Sequence, residues 1–142
     1  MAQSVPHCSP AQLEIAKRLL AREGAYHGEC ARAAGKIYDK LQTQLTPLVG
    51  AGIVPALLSR SAKLVKDDFS WLAESAAVES PSSLRNCLGA REPVEAMRAA
   101  EALFGTFFTL FVTFIGERVT REALRSTWPS ILFDTASMES EK

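Results

Sequence analysis

The sequence predicts a single all-α domain, a bundle of five or six helices around one central, highly apolar helix at about residues 93–115. Three observations support this fold class. Apolar residues recur at spacings of three and four along most of the chain, as on one face of a helix. No segment alternates apolar and polar residues as a strand would. The stretch from Ala102 to Ile115 is apolar almost all round, which is typical of a helix surrounded by other helices.

Composition places the chain among ordinary globular proteins. Its 142 residues are 47% hydrophobic and 23% charged, which suits one domain with its own core. Sixteen basic residues balance sixteen acidic ones, so no overall field attracts nucleic acid or an anionic membrane. We therefore predict no nucleic-acid partner, although local charged patches remain possible.

Cysteine usage and the N-terminus predict a cytoplasmic location. Three cysteines (Cys8, Cys30 and Cys87) cannot all pair within one chain, which suits a reducing compartment. Residues 1–10 lack the basic and apolar segments of a secretory signal. The apolar run from Ala102 to Ile115 is shorter than the about 20 residues that span a bilayer, so we predict a buried core helix and no membrane insertion.

The first half of the chain predicts three helices. Ser9 and Pro10 form a typical helix start, and Gly24 with Gly28 predicts a break across residues 23–28. The inward face of the first helix is predicted to hold Leu13, Ala16, Leu19 and Leu20. That of the second holds Cys30, Ala34, Ile37, Leu41, Leu45 and Leu48, before Gly50-Ala51-Gly52 closes the helix. A third helix is predicted to start near Ile53 and to fade between Trp71 and Ala77.

The second half predicts a short helix, the central helix and a last helix. Ser80 and Pro81 open the short helix, which Gly89 stops. Gly116 ends or kinks the central helix, which carries a line of small residues (Ala102, Thr106, Thr109, Thr113). Each threonine hydroxyl on this line can donate to a carbonyl of the preceding turn. The last helix covers about residues 118–127, with Val119, Ala123 and Leu124 inward, and ends at Trp128-Pro129. We predict that Trp128 packs back on the domain.

These boundaries predict a helical domain over residues 9–129, between a flexible N-terminal tail (1–8) and a flexible C-terminal tail (130–142). The central phenylalanines are predicted to be core residues. They are Phe104, Phe107, Phe108 and Phe111, with Ile115 mostly buried beside them.

Two stretches of the chain carry a resemblance to known sequences. The end carries Val112-Thr113-Phe114-Ile115-Gly116-Glu117, Leu124 and Trp128-Pro129. The middle carries Leu41, Pro47-Leu48, Leu57-Leu58 and Phe69-Ser70-Trp71-Leu72. Over about residues 37–129 the chain resembles a group of small, uncharacterised bacterial helical proteins. The resemblance implies bacterial origin and an all-α fold, and it implies no activity.

Metal and nucleophile chemistry have only weak support in the sequence. His27 and Cys30 are spaced to share one helical face, but the further zinc ligands could come only from His7, Cys8 or Cys87, without a recognised spacing. Cys87 lies in an apolar stripe, where thiols behave as small hydrophobes. We therefore predict no metal, no cofactor and no catalytic residue.

Two charged features are candidate sites. Asp67-Asp68, Glu74 and Glu79 form an acidic stretch that is typical of a solvated helix face; only Asp68, at the edge of the apolar stripe, is a possible buried polar site. Arg118, Arg121 and Arg125 share one face of the last helix, beside Glu117 and Glu122. This face is a possible partner-binding surface, since arginines bind acidic partners and phosphates.

Three functions fit these observations. The leading hypothesis is a non-enzymatic helical module that acts through protein contacts, with itself or a regulatory partner. The alternatives are a protein that binds a small apolar ligand beside the phenylalanine-rich helix, and an unrecognised enzyme. An exposed apolar patch would favour the first function, an apolar cavity the second, and convergent polar groups in a cleft the third.

Overall fold

The structure, a computed structural model, describes residues 10–23, 29–50, 52–73, 78 and 80–127. Within these ranges the chain forms seven helices and no strand: α1 (Pro10–Arg22), α2 (Cys30–Val49), α3 (Ile53–Leu64), α4 (Ser70–Ala73), α5 (Pro81–Gly89), α6 (Pro93–Ile115) and α7 (Glu117–Thr127). The all-α fold class is confirmed. The predictions for Ser9, the break at 24–28, Trp128-Pro129 and the two tails concern residues outside the described ranges.

α6 is the central helix, with the bounds that the sequence predicts. It packs against α1, α2, α3, α5 and α7. Its four core phenylalanines are each at most 1% exposed. The Phe107 ring meets the edge of Phe108 at 5.4 Å between centroids and stacks on Phe111 at 5.8 Å. Ile115, at the end of the helix, is half-buried.

The first two helices present the predicted apolar faces, with one exception. Leu19 and Leu20 of α1 are buried, and so are all the predicted inward residues of α2 except Leu48. Leu48, in the last turn of α2, is instead 54% exposed, so its predicted inward position is wrong. The apolar stripe of α2 therefore extends beyond the part of the bundle that covers it.

The predicted third helix is divided, which raises the number of helices from six to seven. α3 ends at Leu64, residues 65–68 form turns, and α4 begins at Ser70. Asp67 and Asp68 lie in these turns, where short polar side chains favour turn over helix. Val65, Phe69 and Leu72 remain buried across the break, so the apolar spacing resembles that of a continuous helix.

Caps fix several helix ends. Ser80 accepts a hydrogen bond on its Oγ from the backbone N–H of Ser83, at 3.1 Å, which confirms the predicted start of α5. Gly50 and Gly116 end α2 and α6 with φ of 101° and 105°. Residues with a side chain rarely adopt this backbone conformation, whereas glycine adopts it without strain.

α7 turns most of the predicted face inward, since Leu124 is buried and Ala123 is half-buried against the core. Thr120 and Leu124 are buried, whereas Val119 is 39% exposed, so the prediction for Val119 is wrong. Thr120 can occupy an inner position because its hydroxyl donates to the Gly116 carbonyl at 2.8 Å. One helical turn therefore separates Thr120 from Leu124, the two buried residues in the described part of α7.

Two of the three threonine hydroxyls on the line of small residues of α6 are hydrogen-bonded. The hydroxyls of Thr109 and Thr113 donate to the carbonyls of Gly105 and Thr109, each at 2.9 Å, as predicted. Thr106 is fully buried, and its Oγ1 has no hydrogen-bond partner in the described part of the chain. By length and composition α6 could cross a membrane; 56% of its most apolar stretch is buried inside this bundle.

Candidate functional site

Exposed apolar side chains concentrate at one end of the bundle. Among the described residues, five large hydrophobic side chains are exposed: Leu48, Ile53, Val94, Phe114 and Val119. Three of these line one hollow, with exposed fractions of 54% for Leu48, 38% for Ile53 and 66% for Phe114. We call this surface the end-face and define it by its lining residues: Leu48, Val49, Ile53, Ala56, Leu57, Phe114 and Ile115.

Helix endings build the end-face. α2 ends at Val49 and α6 at Ile115, and each is followed by a glycine with positive φ that turns the chain. α3 starts three residues after Gly50, so its first two turns complete the wall. The hollow has a volume of about 490 Å³, and no charged residue lines it. The end-face is therefore lined only by apolar residue types, at the junction of three helices.

The arginine face of α7 lies close to the end-face along the chain. Arg118, Arg121 and Arg125 line one surface hollow together with Glu117 and Glu122, as the spacing predicts. Arg121 Nη2 is 2.9 Å from Glu117 Oε2. α7 begins two residues after Ile115, which itself lines the end-face. The three arginines do not form an isolated cationic patch.

The acidic candidate is exposed. Asp68 lies in the turns between α3 and α4 and is open to solvent, so it is not a buried polar site. Asp67 is exposed beside it, whereas Glu74 and Glu79 lie outside the described ranges.

The cysteine candidates have suppressed reactivity. Burial, and to a lesser extent the nearby Glu101 carboxylate, raises the pKa of the Cys30 thiol from 9.0 to about 11. Burial also raises the pKa of Cys87, which Arg91 partly offsets. His27, the proposed partner of Cys30, lies outside the described ranges. Within the described residues, no group of three or more histidine, cysteine, aspartate or glutamate side chains could hold a metal ion.

Cys30 lines a second apolar hollow, which the sequence does not reveal. Its volume is about 420 Å³, and it lies between the starts of α2 and α6 and the end of α5. We call it the cleft. Its lining residues are Cys30, Ala31, Leu88, Gly89, Arg91, Pro93, Val94, Ala96, Met97 and Arg98.

A polar cluster of Trp71, Glu95 and Arg91, next to the cleft, was also not predicted from the sequence. The indole N–H of Trp71 donates to Glu95 Oε2 at 3.1 Å. The guanidinium carbon of Arg91 lies 4.5 Å from the centre of the Trp71 ring, a cation–π contact. These contacts join α4 to the start of α6 and to the loop that precedes it.

Comparisons of the chain with protein families, curated proteins and solved structures find no match. The resemblance to bacterial helical proteins stays an expectation from the quoted residues. The end-face, the arginine face and the cleft are the surfaces that bear on function.

Proposed function

We propose that this protein is a non-catalytic helical interaction module that binds a second copy of itself through the end-face. The observation that supports this proposal is the grouping of Leu48, Ile53 and Phe114 in one uncharged hollow, each at least 38% exposed. Large contiguous apolar patches mark interaction sites, and these three side chains form the centre of a smaller apolar patch. Single exposed apolar residues, by contrast, need no explanation.

Phe114 is the strongest candidate for the centre of the interface. A phenylalanine side chain can bury roughly 150–250 Å², and Phe114 is 66% exposed. A partner could thus remove on the order of 100 Å² from water at this ring alone, which is worth roughly 2.5 kcal/mol. Aromatic anchors in water-excluding surroundings provide much of the energy of protein interfaces.

Charge favours a second copy as the partner. The formal net charge of the chain is zero, so two copies do not repel each other as a whole. We take the arginine face of α7, which follows Ile115 of the end-face along the chain, as the rim of the interface. This rim contains both signs, since Glu117 and Glu122 accompany the three arginines. In a two-fold symmetric pair, the glutamates of one copy can face the arginines of the other. A strongly charged partner would meet like charges on this rim.

The size of the end-face predicts weak, reversible association. Stable interfaces bury about 800 Å² on each partner, which is more than three partly exposed side chains supply. The remaining area would come from the mixed-charge rim, which affects association rate and specificity more than affinity. We expect a monomer–dimer equilibrium at micromolar or higher protein concentration.

Sedimentation velocity over a series of protein concentrations tests the proposal. The variant Phe114→Ser should weaken dimer formation at least tenfold, because one anchor is lost from each copy. Val94→Ser is the matched control, since Val94 is 69% exposed but does not line the end-face. Circular dichroism should show that both variants retain the helical fold.

The three variants distinguish an interface at the end-face from one elsewhere on the surface. A dimer weakened by Phe114→Ser and Leu48→Ser, but not by Val94→Ser, would support the end-face as the interface. A chain that is monomeric at all concentrations would overturn self-association. A dimer that all three variants leave unchanged would place the interface elsewhere.

A further inference from the structure

The cleft combines mostly apolar walls with two arginine residues. Leu88, Ala96 and Met97 provide apolar surface, and Val94 stands at the rim with 69% of its surface exposed. Arg91 and Arg98 also line the cleft. Its volume of about 420 Å³ lies within the range of sites for small organic ligands.

Neither arginine is paired with a carboxylate in the described part of the chain. The ion pairs there involve Arg18, Arg32, Lys40 and Arg121, and none involves Arg91 or Arg98. The guanidinium carbon of Arg91 lies 4.5 Å from the centre of the Trp71 ring, and a cation–π contact of this kind uses none of the hydrogen-bond acceptors that a carboxylate would offer. The edge of a guanidinium matches a carboxylate, to which it can donate two parallel hydrogen bonds.

The other walls favour a ligand with a single negative charge. A thiol with its ordinary pKa is already protonated near neutral pH, and burial raises the pKa of Cys30 further, so the thiol adds no negative charge to the cleft. Glu101 is close enough to act on that thiol electrostatically, although it does not line the cleft. Its charge disfavours a dianionic head more than a monoanionic one.

We infer that the cleft binds a small molecule with an apolar body and one carboxylate head, held by Arg91 and Arg98. The apolar body would contact Leu88, Ala96 and Met97, and the unbranched Met97 side chain can adjust to its shape. Cys30 forms the inner wall, because it is only 8% exposed yet lines the hollow.

This inference does not depend on the self-association proposed above. Met97 and Phe114 are 17 residues apart on α6 (114 − 97), which corresponds to about 25 Å along the helix. The cleft and the end-face are thus at opposite ends of α6. Failure of one proposal leaves the other standing.

The test uses decanoate as the probe and measures its binding by titration calorimetry. Decanamide, which has the same chain length and a neutral head, should bind at least tenfold more weakly. Arg98→Gln should weaken decanoate binding about tenfold or more, and Arg91→Gln should do the same. Arg125→Gln is the matched control, because this exposed arginine lies on α7, outside the cleft.

A second readout locates the ligand. Decanoate should slow the alkylation of Cys30 by iodoacetamide, measured by peptide mass spectrometry, and leave that of Cys87 unchanged. Cys87 is half-buried and does not line the cleft, so it serves as an internal control.

Equal affinities for decanoate and decanamide would overturn the carboxylate head. Decyl phosphate that binds more tightly than decanoate would overturn it in favour of a dianion. Binding that does not protect Cys30, or that Arg125→Gln weakens as much as Arg98→Gln, would overturn the cleft as the site.

Discussion

Replacing Phe107 by alanine tests the central role of α6 most severely. The Phe107 side chain has no exposed surface. It meets Phe108 edge-on at 5.4 Å and stacks on Phe111 at 5.8 Å. Truncating a buried phenylalanine to alanine costs about 3–5 kcal/mol, through lost burial and the cavity left behind. Each aromatic contact can contribute about 0.5–1.5 kcal/mol beyond burial, so we expect a value in the upper half of that range.

Phe114→Ala is the matched control because it makes the same chemical change on the same helix. Phe114 is 66% exposed, so its truncation in the monomer should cost less than about 1 kcal/mol. Urea unfolding followed by circular dichroism gives both values. The protein must be dilute enough for the transition midpoint to be independent of concentration, since association stabilises the folded state.

A loss below about 1 kcal/mol for Phe107→Ala would refute the packing described for α6. Equal losses for the two variants would refute it as well, because they would mean that the two rings have similar surroundings. A transition too shallow to fit for Phe107→Ala alone would agree with the account, since a domain of this size has only about 5–15 kcal/mol to lose.

Three substitutions and one pH profile test further features of the structure. Ser80→Ala should destabilise the protein by about 0.5–2 kcal/mol in urea titration, because the backbone N–H of Ser83 loses its acceptor; Ser82→Ala, outside the cap, should not. Gly116→Ala should cost about 1–3 kcal/mol by the same assay, because φ of 105° with ψ of 150° strains any side chain; a neutral effect would disprove that backbone conformation. Tyr38→Phe should cost about 1–3 kcal/mol, because the hydroxyl donates at 2.6 Å to the carbonyl of buried Val78, which would lose its partner. Alkylation of Cys30 should accelerate up to about pH 11, since only the thiolate reacts and the pKa is raised to about 11; a rate that levels off near pH 9 would show an unshifted thiol.

The position of the core was predictable from the sequence because it depends on local composition. A helix that is apolar almost all round has no solvated face, so α6 had to lie inside, and its bounds at Pro93 and Ile115 agree with the prediction. Glycine and proline signals placed the ends of α2, α5 and α6 for similarly local reasons. The arginines of α7 share a face because helical spacing alone requires it.

The end-face was not predictable, because exposure depends on which helices cover which turns. Leu48 follows Leu45 at helical spacing, and nothing local shows that Leu45 is buried while Leu48 is exposed. The break after Leu64 was missed because Val65, Phe69 and Leu72 keep an apolar spacing across the turns. The Asp67-Asp68 pair was the available signal, since aspartate favours turns.

Contacts between distant residues were also beyond the sequence. Glu23 Oε2 lies 2.5 Å from Lys40 Nζ, and the Glu23 side chain is only 7% exposed. This ion pair joins the end of α1 to α2 across 17 residues. The Arg91–Trp71 contact is likewise a product of tertiary packing, and with it the cleft that Arg91 lines. Helical spacing identifies neighbours only within one helix.

The most direct test of self-association through the end-face is an isotope-filtered NMR experiment on a mixture of labelled and unlabelled chains. In a two-fold symmetric pair, the methyl groups of Leu48 and Ile53 in one copy should show contacts to the Phe114 ring of the other. These signals should disappear in the Phe114→Ser variant and persist in Val94→Ser. Intermolecular contacts confined to other surfaces, or none at concentrations well above micromolar, would contradict the account.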